Sequence, residues 1–196
     1  MSVFRKLFAL ALLSAIPALA LAAEPFESKS IMLLQPDFIL EERVPSIEAL
    51  AAYLKAVQDT AAHVLADEAP IPTGGFLVLA VRPGGRSMAW LDLVPALPDA
   101  VDSKLRAAIL RVPPFEARAG VVVVALKASL WGGTSSREFP HPAEWSRAME
   151  GGSEAVEVGD LVNRIWPESP ATDVRPETEA GSHDGMGPAP EPSHAP

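Results

Sequence analysis

The pattern of apolar and polar positions is most regular in the middle of the chain. From Ile47, the residues Leu50, Ala51, Leu54, Val57, Ala61, Val64 and Leu65 recur at helical spacing, while Lys55, Gln58, Asp59 and Asp67 fall off the stripe. This predicts an amphipathic helix of about 20 residues. Ser46 is placed to cap it, with Glu48 in the first turn, and Ala69-Pro70-Ile71-Pro72 stops it. Phe76–Val81 is a continuous apolar run of strand length and reads as a central strand. Pro83-Gly84-Gly85-Arg86 supplies turn chemistry, and Ser87–Val94 follows with Ala89, Leu91 and Leu93 on one face and Met88, Trp90 and Asp92 on the other. The pair forms an antiparallel hairpin.

Beyond the hairpin, Asp99 can cap a helix through about Leu110, with Val101, Leu105, Ala108 and Ile109 as its buried stripe. Val112-Pro113-Pro114-Phe115 ends it, since consecutive prolines cannot continue a helix. Gly120 leads into a β-branched strand, Val121–Leu130. One face holds Val122, Val124, Leu126, Ala128 and Leu130. The other runs from Val121, Val123 and Ala125 to Lys127 and Ser129, as if the strand left the core at its end. Ile31–Leu40, broken by Pro36, reads as one or two short strands or as a buried extended lead-in. Trp131–Ser136 is a flexible turn. Trp145 and Met149 share a helical turn, and Val158, Leu161, Val162 and Ile165 predict a second short helix that packs back on the domain. The expected fold class is α+β: a small antiparallel sheet, hairpin plus third strand, packed against two helices in the order α-β-β-α-β, with short C-terminal helices.

The ends of the chain follow different rules. Arg5 and Lys6 precede an apolar run, Leu7–Leu21, that finishes in Ala20-Leu21-Ala22-Ala23. Basic, apolar and small-residue regions in that order are the pattern of a cleaved secretory leader over residues 1–23, cut after Ala22 or Ala23. The run is shorter than the roughly 20 residues a spanning helix needs. A bacterial periplasmic, secreted location is the expectation. At the other end, Pro167–Pro196 holds seven prolines and six acidic residues but no Leu, Ile, Phe, Trp or Tyr. Such a composition cannot bury enough apolar surface to offset its ordering entropy, so a disordered Pro/acidic tail is expected over 167–196. A single domain of about 140 residues, 24–166 with its core at 46–130, lies between.

Composition then narrows the chemistry. The 196 residues carry 16 Lys+Arg against 25 Asp+Glu, a net of -9. Loss of the leader removes Arg5 and Lys6, so 14 against 25 leaves -11. That balance argues against nucleic acid, whose phosphates need clustered cations. Zero Cys excludes disulfides, thiol nucleophiles and Cys-ligated metals. Four scattered His make no metal site, and His63 reads as a surface residue at a helix end. Asp92 and His141 with Ser135 or Ser136 allow a Ser–His–Asp triad to be sketched, but no Gly-x-Ser-x-Gly elbow accompanies them. No catalytic, cofactor-binding or metal-binding residue is assigned, and the chain is read as no enzyme.

Phe76–Val81, Pro83-Gly84-Gly85-Arg86, Met88–Val94, Leu105–Leu110, Pro113-Pro114-Phe115 and Val121–Leu130 follow one another in an order and spacing that resembles the carboxy-terminal domain of the TonB/TolA class of bacterial envelope proteins. The chain departs from that class in its cleavable leader and in having only about 20 residues between leader and first helix. The resemblance therefore implies a soluble periplasmic protein-binding module, with a partner strand added at a sheet edge. The last strand, through Val121 and Val123, is the expected edge. Trp90 and Trp131, with Gly132-Gly133, are the expected recognition surface. A core role for all four residues fits the same pattern. The expected partner is another envelope or secreted protein, with no membrane span after leader cleavage. Two other readings stand beside it: an acidic immunity-type protein that neutralises a basic toxin, and an envelope hydrolase.

Overall fold

The computed structural model describes residues 23–150 and 156–167. The expected tail, most of the expected leader and the Gly151-Gly152 break lie outside the described residues. The apolar run at Phe76 becomes the middle of a four-stranded antiparallel sheet. Its strands are β1 (Glu27–Leu33), β2 (Thr73–Arg82), β3 (Arg86–Val94) and β4 (Val122–Leu130), in the spatial order β1-β4-β2-β3. The helices are α1 (Asp37–Arg43), α2 (Ile47–Ala66), α3 (Asp99–Ile109), α4 (Ala143–Met149) and α5 (Val158–Ile165).

Every residue of β2 is buried, because the strand is paired on both sides and covered on both faces. On one face Leu77, Leu79, Val81, Val124 and Leu126 pack with Leu54, Val57 and Leu65 of α2 and Leu105 and Ile109 of α3. On the other, Phe76, Val78, Ala80, Val123 and Ala125 pack with Trp145 of α4 and Leu161 and Val162 of α5. The α+β class holds, and the short C-terminal helices form a third layer. Trp90 meets Trp145 edge-to-face at 5.8 Å and 74°, an arrangement that adds about 1 kcal/mol beyond burial.

Several boundaries differ from the sequence expectation. Of the readings for Ile31–Leu40, one short strand holds as far as Leu33, and the part beyond Pro36 is neither a second strand nor a buried extended lead-in. The segment is strand β1, whose polar start Glu27–Ser30 hides its nature, followed by helix α1. The hairpin loop has three residues, Pro83 to Gly85, with Gly84 and Gly85 at φ 79° and 63°, a region glycine enters without steric cost. Arg86 already pairs with Arg82. Ser46 caps α2 by accepting from the Ala49 amide at 3.1 Å, whereas Pro98, not Asp99, precedes α3. The far end of β4 stays in the core: Ser129 is buried and donates to the Gly133 carbonyl at 2.7 Å. That bond belongs to a close approach between the turn after β4 and the start of β2. A Cβ on Gly133 would collide with the Thr73 backbone, and one on Gly74 would lie 2.5 Å from the Thr134 carbonyl carbon.

One polar side chain ties the ends of the domain together. Gln35, just past β1 and only 5% exposed, accepts from the Val123 amide at 3.0 Å and donates to Glu157 at 3.0 Å. It thereby extends the β1–β4 ladder, which the Leu34 amide also continues to the Val123 carbonyl. Glu157 in turn accepts from the Asp160 amide and caps α5. Burial pushes the Glu157 carboxyl up. The bonds from Gln35 and from the Gly159 and Asp160 amides, with the Arg43 charge, outweigh it and hold the group below its ordinary value.

Candidate functional site

The four residues singled out as a recognition surface are all interior. Trp90, Val121 and Val123 belong to the cluster under α4 and α5, and Trp131 belongs to the cluster under α2 and α3. The structure therefore divides them between opposite faces of the sheet. Trp131 has φ 47°, which is unusual for a bulky side chain. Its ring is buried and its amide donates to the Glu24 carbonyl at 3.0 Å, so its observed role is to hold a turn. The edge expectation is also corrected. β4 lies between β1 and β2, so its backbone is committed on both sides. Hydrogen-bonded order is set by contacts distant in sequence, and β4's position had no local marker.

The sketched triad does not assemble. Asp92, 8% exposed, accepts from the His141 backbone amide at 2.7 Å through one oxygen and pairs with Arg137 through the other. Both contacts anchor the loop before α4, and neither orients the imidazole. Ser135 accepts from the Arg137 amide. The exposed His141 ring instead lies 2.9 Å from the Ser146 hydroxyl. Among the described residues no carboxylate meets its second ring nitrogen, so the pair lacks the orienting group a nucleophilic serine uses. Among the described residues no group of three or more His, Asp or Glu is placed to hold a metal ion.

What the fold does present is an apolar cleft beside a strand that, among the described residues, has no partner on its outer side. β1 follows the interior strand β4 with the register Ile31↔Leu126 and Leu33↔Val124, so Ile31 and Leu33 share the face that α2 and α3 cover elsewhere. The cover runs out there, and the two side chains stay 52% and 48% exposed. Pro36 turns the chain into α1, which bears Phe38 at 69% exposure, and Ile47 at the start of α2 is 81% exposed. Between Leu33 and Ile47 a cleft of about 290 Å³ is lined also by Leu40, Val44 and Leu50, with Asp37, Glu41 and Ser46 among its polar lining. Four of the seven large apolar side chains that stand exposed among the described residues gather at this corner. A contiguous exposed apolar patch marks a contact surface more often than scattered residues do.

The two sheet edges differ. β3 is blunted: Arg106 of α3 donates to the Ala89 carbonyl at 2.7 Å, and Asp92 is wrapped by the 137–141 loop. Among the described residues β1 pairs with β4 alone. Its first half carries a bulge between Ser28 and Ser30 and the Lys29–Glu27 ion pair at 2.5 Å, both of which discourage pairing. Its second half, Ser30–Leu33, carries neither and runs into the cleft. The sequence contained a trace of this site, since Ile31, Leu33 and Phe38 are apolar around Pro36. Helical spacing instead counted Ile47 as part of the buried stripe.

No helix among the described residues is long and apolar enough to cross a membrane. The chain matches no protein-family model, no curated protein and no solved structure.

Proposed function

We propose that this chain is a non-enzymatic protein-binding module of the bacterial cell envelope, exported by its leader, and that its partner docks on the corner formed by β1, α1 and the start of α2. The observation that carries this reading is an apolar cleft lined by Leu33, Leu40, Val44, Ile47 and Leu50, with Ile31 exposed beside Leu33 on the same face of β1, which among the described residues is an edge strand. The leader pattern supports export, and the order of the central elements supports the likeness to the TonB/TolA class. With β4 interior, the docking edge of this reading moves to β1.

The test is site-specific photo-crosslinking in envelope extracts, with the crosslinker at Ile31, at Ile47 and, as control, at Leu110, an exposed apolar residue on the α3 side. A discrete adduct from the first two positions and not the third is expected, lost on Leu33→Asp in a protein of unchanged circular dichroism. Equal adducts from all three positions overturn the reading.

A further inference from the structure

The chemistry around the cleft narrows what occupies it, on the footing that this corner is the docking site. Asp37 and Glu41 line the cleft and stand exposed. Among the described residues no Lys or Arg lines the cleft; Arg43 and Arg118 donate instead to the Val121 and Pro45 carbonyls, at 2.7 Å and 2.9 Å. The corner therefore combines an apolar floor, an acidic rim and an open strand edge. We propose that its occupant is a short extended segment of a partner protein that pairs with Ser30–Leu33, sets alternate apolar side chains beside Ile31 and Leu33 and into the cleft, and carries Lys or Arg opposite Asp37 and Glu41.

Each part follows from a separate observation. The bulge at Ser28/Ser30 confines pairing to the half of β1 next to the cleft. The side-chain period of a strand places every second residue of an added strand on the face of Ile31 and Leu33, where the cover of α2 and α3 ends. Charge selects among occupants. A second copy would bring the same acidic rim against itself on a chain of net -11 once the leader is lost, 14 Lys+Arg against 25 Asp+Glu, and an anionic membrane would be repelled. A cationic, alternating apolar strand satisfies floor, rim and edge together.

The probe is a synthetic peptide of about ten residues alternating valine with lysine, titrated into the 15N-labelled protein, with a valine–glutamate peptide as counterpart. The lysine peptide is expected to shift and protect the amides of Ser30–Leu33, to shift those of α1, and to bind more weakly as salt rises. The double variant Asp37→Asn, Glu41→Gln is expected to weaken it roughly tenfold, with circular dichroism unchanged because both side chains are exposed. Equal binding of the glutamate peptide, an unchanged affinity in the double variant, a dimer through β1 in sedimentation, or matching shifts with anionic phosphatidylglycerol vesicles would each overturn the proposal. If crosslinks at Ile31 and Ile47 persist while the lysine peptide fails, only the nature of the occupant is wrong. Loss of the crosslinks removes the docking site itself.

Discussion

Replacing Gln35 with methionine keeps the side chain's volume and removes both of its hydrogen bonds. The Val123 amide, at a residue 0% exposed, then has no acceptor, a loss of about 1–3 kcal/mol. Glu157 loses a donor to its carboxylate, a charge-assisted bond of about 1.5 kcal/mol. Together the substitution should cost about 3 kcal/mol, and roughly 10 °C in melting temperature for a domain of this size. The loss depends on pH with a definite sign. Native Glu157 lies below the ordinary 4.5, and Gln35 helps keep it there. Its contribution is therefore complete above the ordinary carboxylate range and disappears as pH falls through the lowered native value. Urea denaturation of wild type and Gln35→Met, from about pH 7 downward, should show the gap between them narrowing on acidification towards the Val123 share alone. A gap under about 1 kcal/mol at neutral pH, or one that does not change with pH, would refute the idea that Gln35 couples β4 to the cap of α5.

Gly133→Ala should destabilise the fold by at least ~2 kcal/mol in the same assay, because the new Cβ meets the Thr73 backbone, which has nowhere to move. Trp90→Ala should cost about 3–5 kcal/mol by opening a cavity against Trp145, and a smaller core swap such as Trp90→Phe should leave binding at the β1 corner unchanged. Ile47→Ser, at an 81% exposed position, should change stability by no more than ~0.5 kcal/mol while abolishing the crosslinks. Asp92→Ala should cost about 2 kcal/mol by stranding the His141 amide; His141→Ala, which keeps that amide, should be close to neutral in thermal melts.

The elements most legible in the sequence were those whose pattern is complete within a few residues. Ser46 and the stripe from Leu50 to Leu65 located α2, and the run Phe76–Val81 announced a strand covered on both faces. The start of β1 escaped, because Glu27–Ser30 is polar and bulged and shows no alternation to read, so that only Ile31–Leu33 carried a strand signal. Ser129 looked solvent-bound because its partner, the Gly133 carbonyl, sits beyond a turn whose path local pattern does not specify. The recognition residues were misplaced for a related reason. Tryptophan and valine at strand positions are equally suited to a core and to a contact surface, and burial alone separates the two.

The sequence by itself determined the α+β class, the helix and strand positions from Ser46 to Leu130 and the absence of cysteine chemistry, because periodicity, capping and composition are properties of neighbouring residues. Only the tertiary structure decided that β4 is interior, that β1 is an edge among the described residues, and that Leu33 of β1, Asp37, Leu40 and Glu41 of α1 and Ile47 and Leu50 of α2 meet around one cleft. Those facts depend on pairings such as Gln35 with Val123, 88 positions apart. Contacts at that separation are fixed by which faces the whole chain can bury at once.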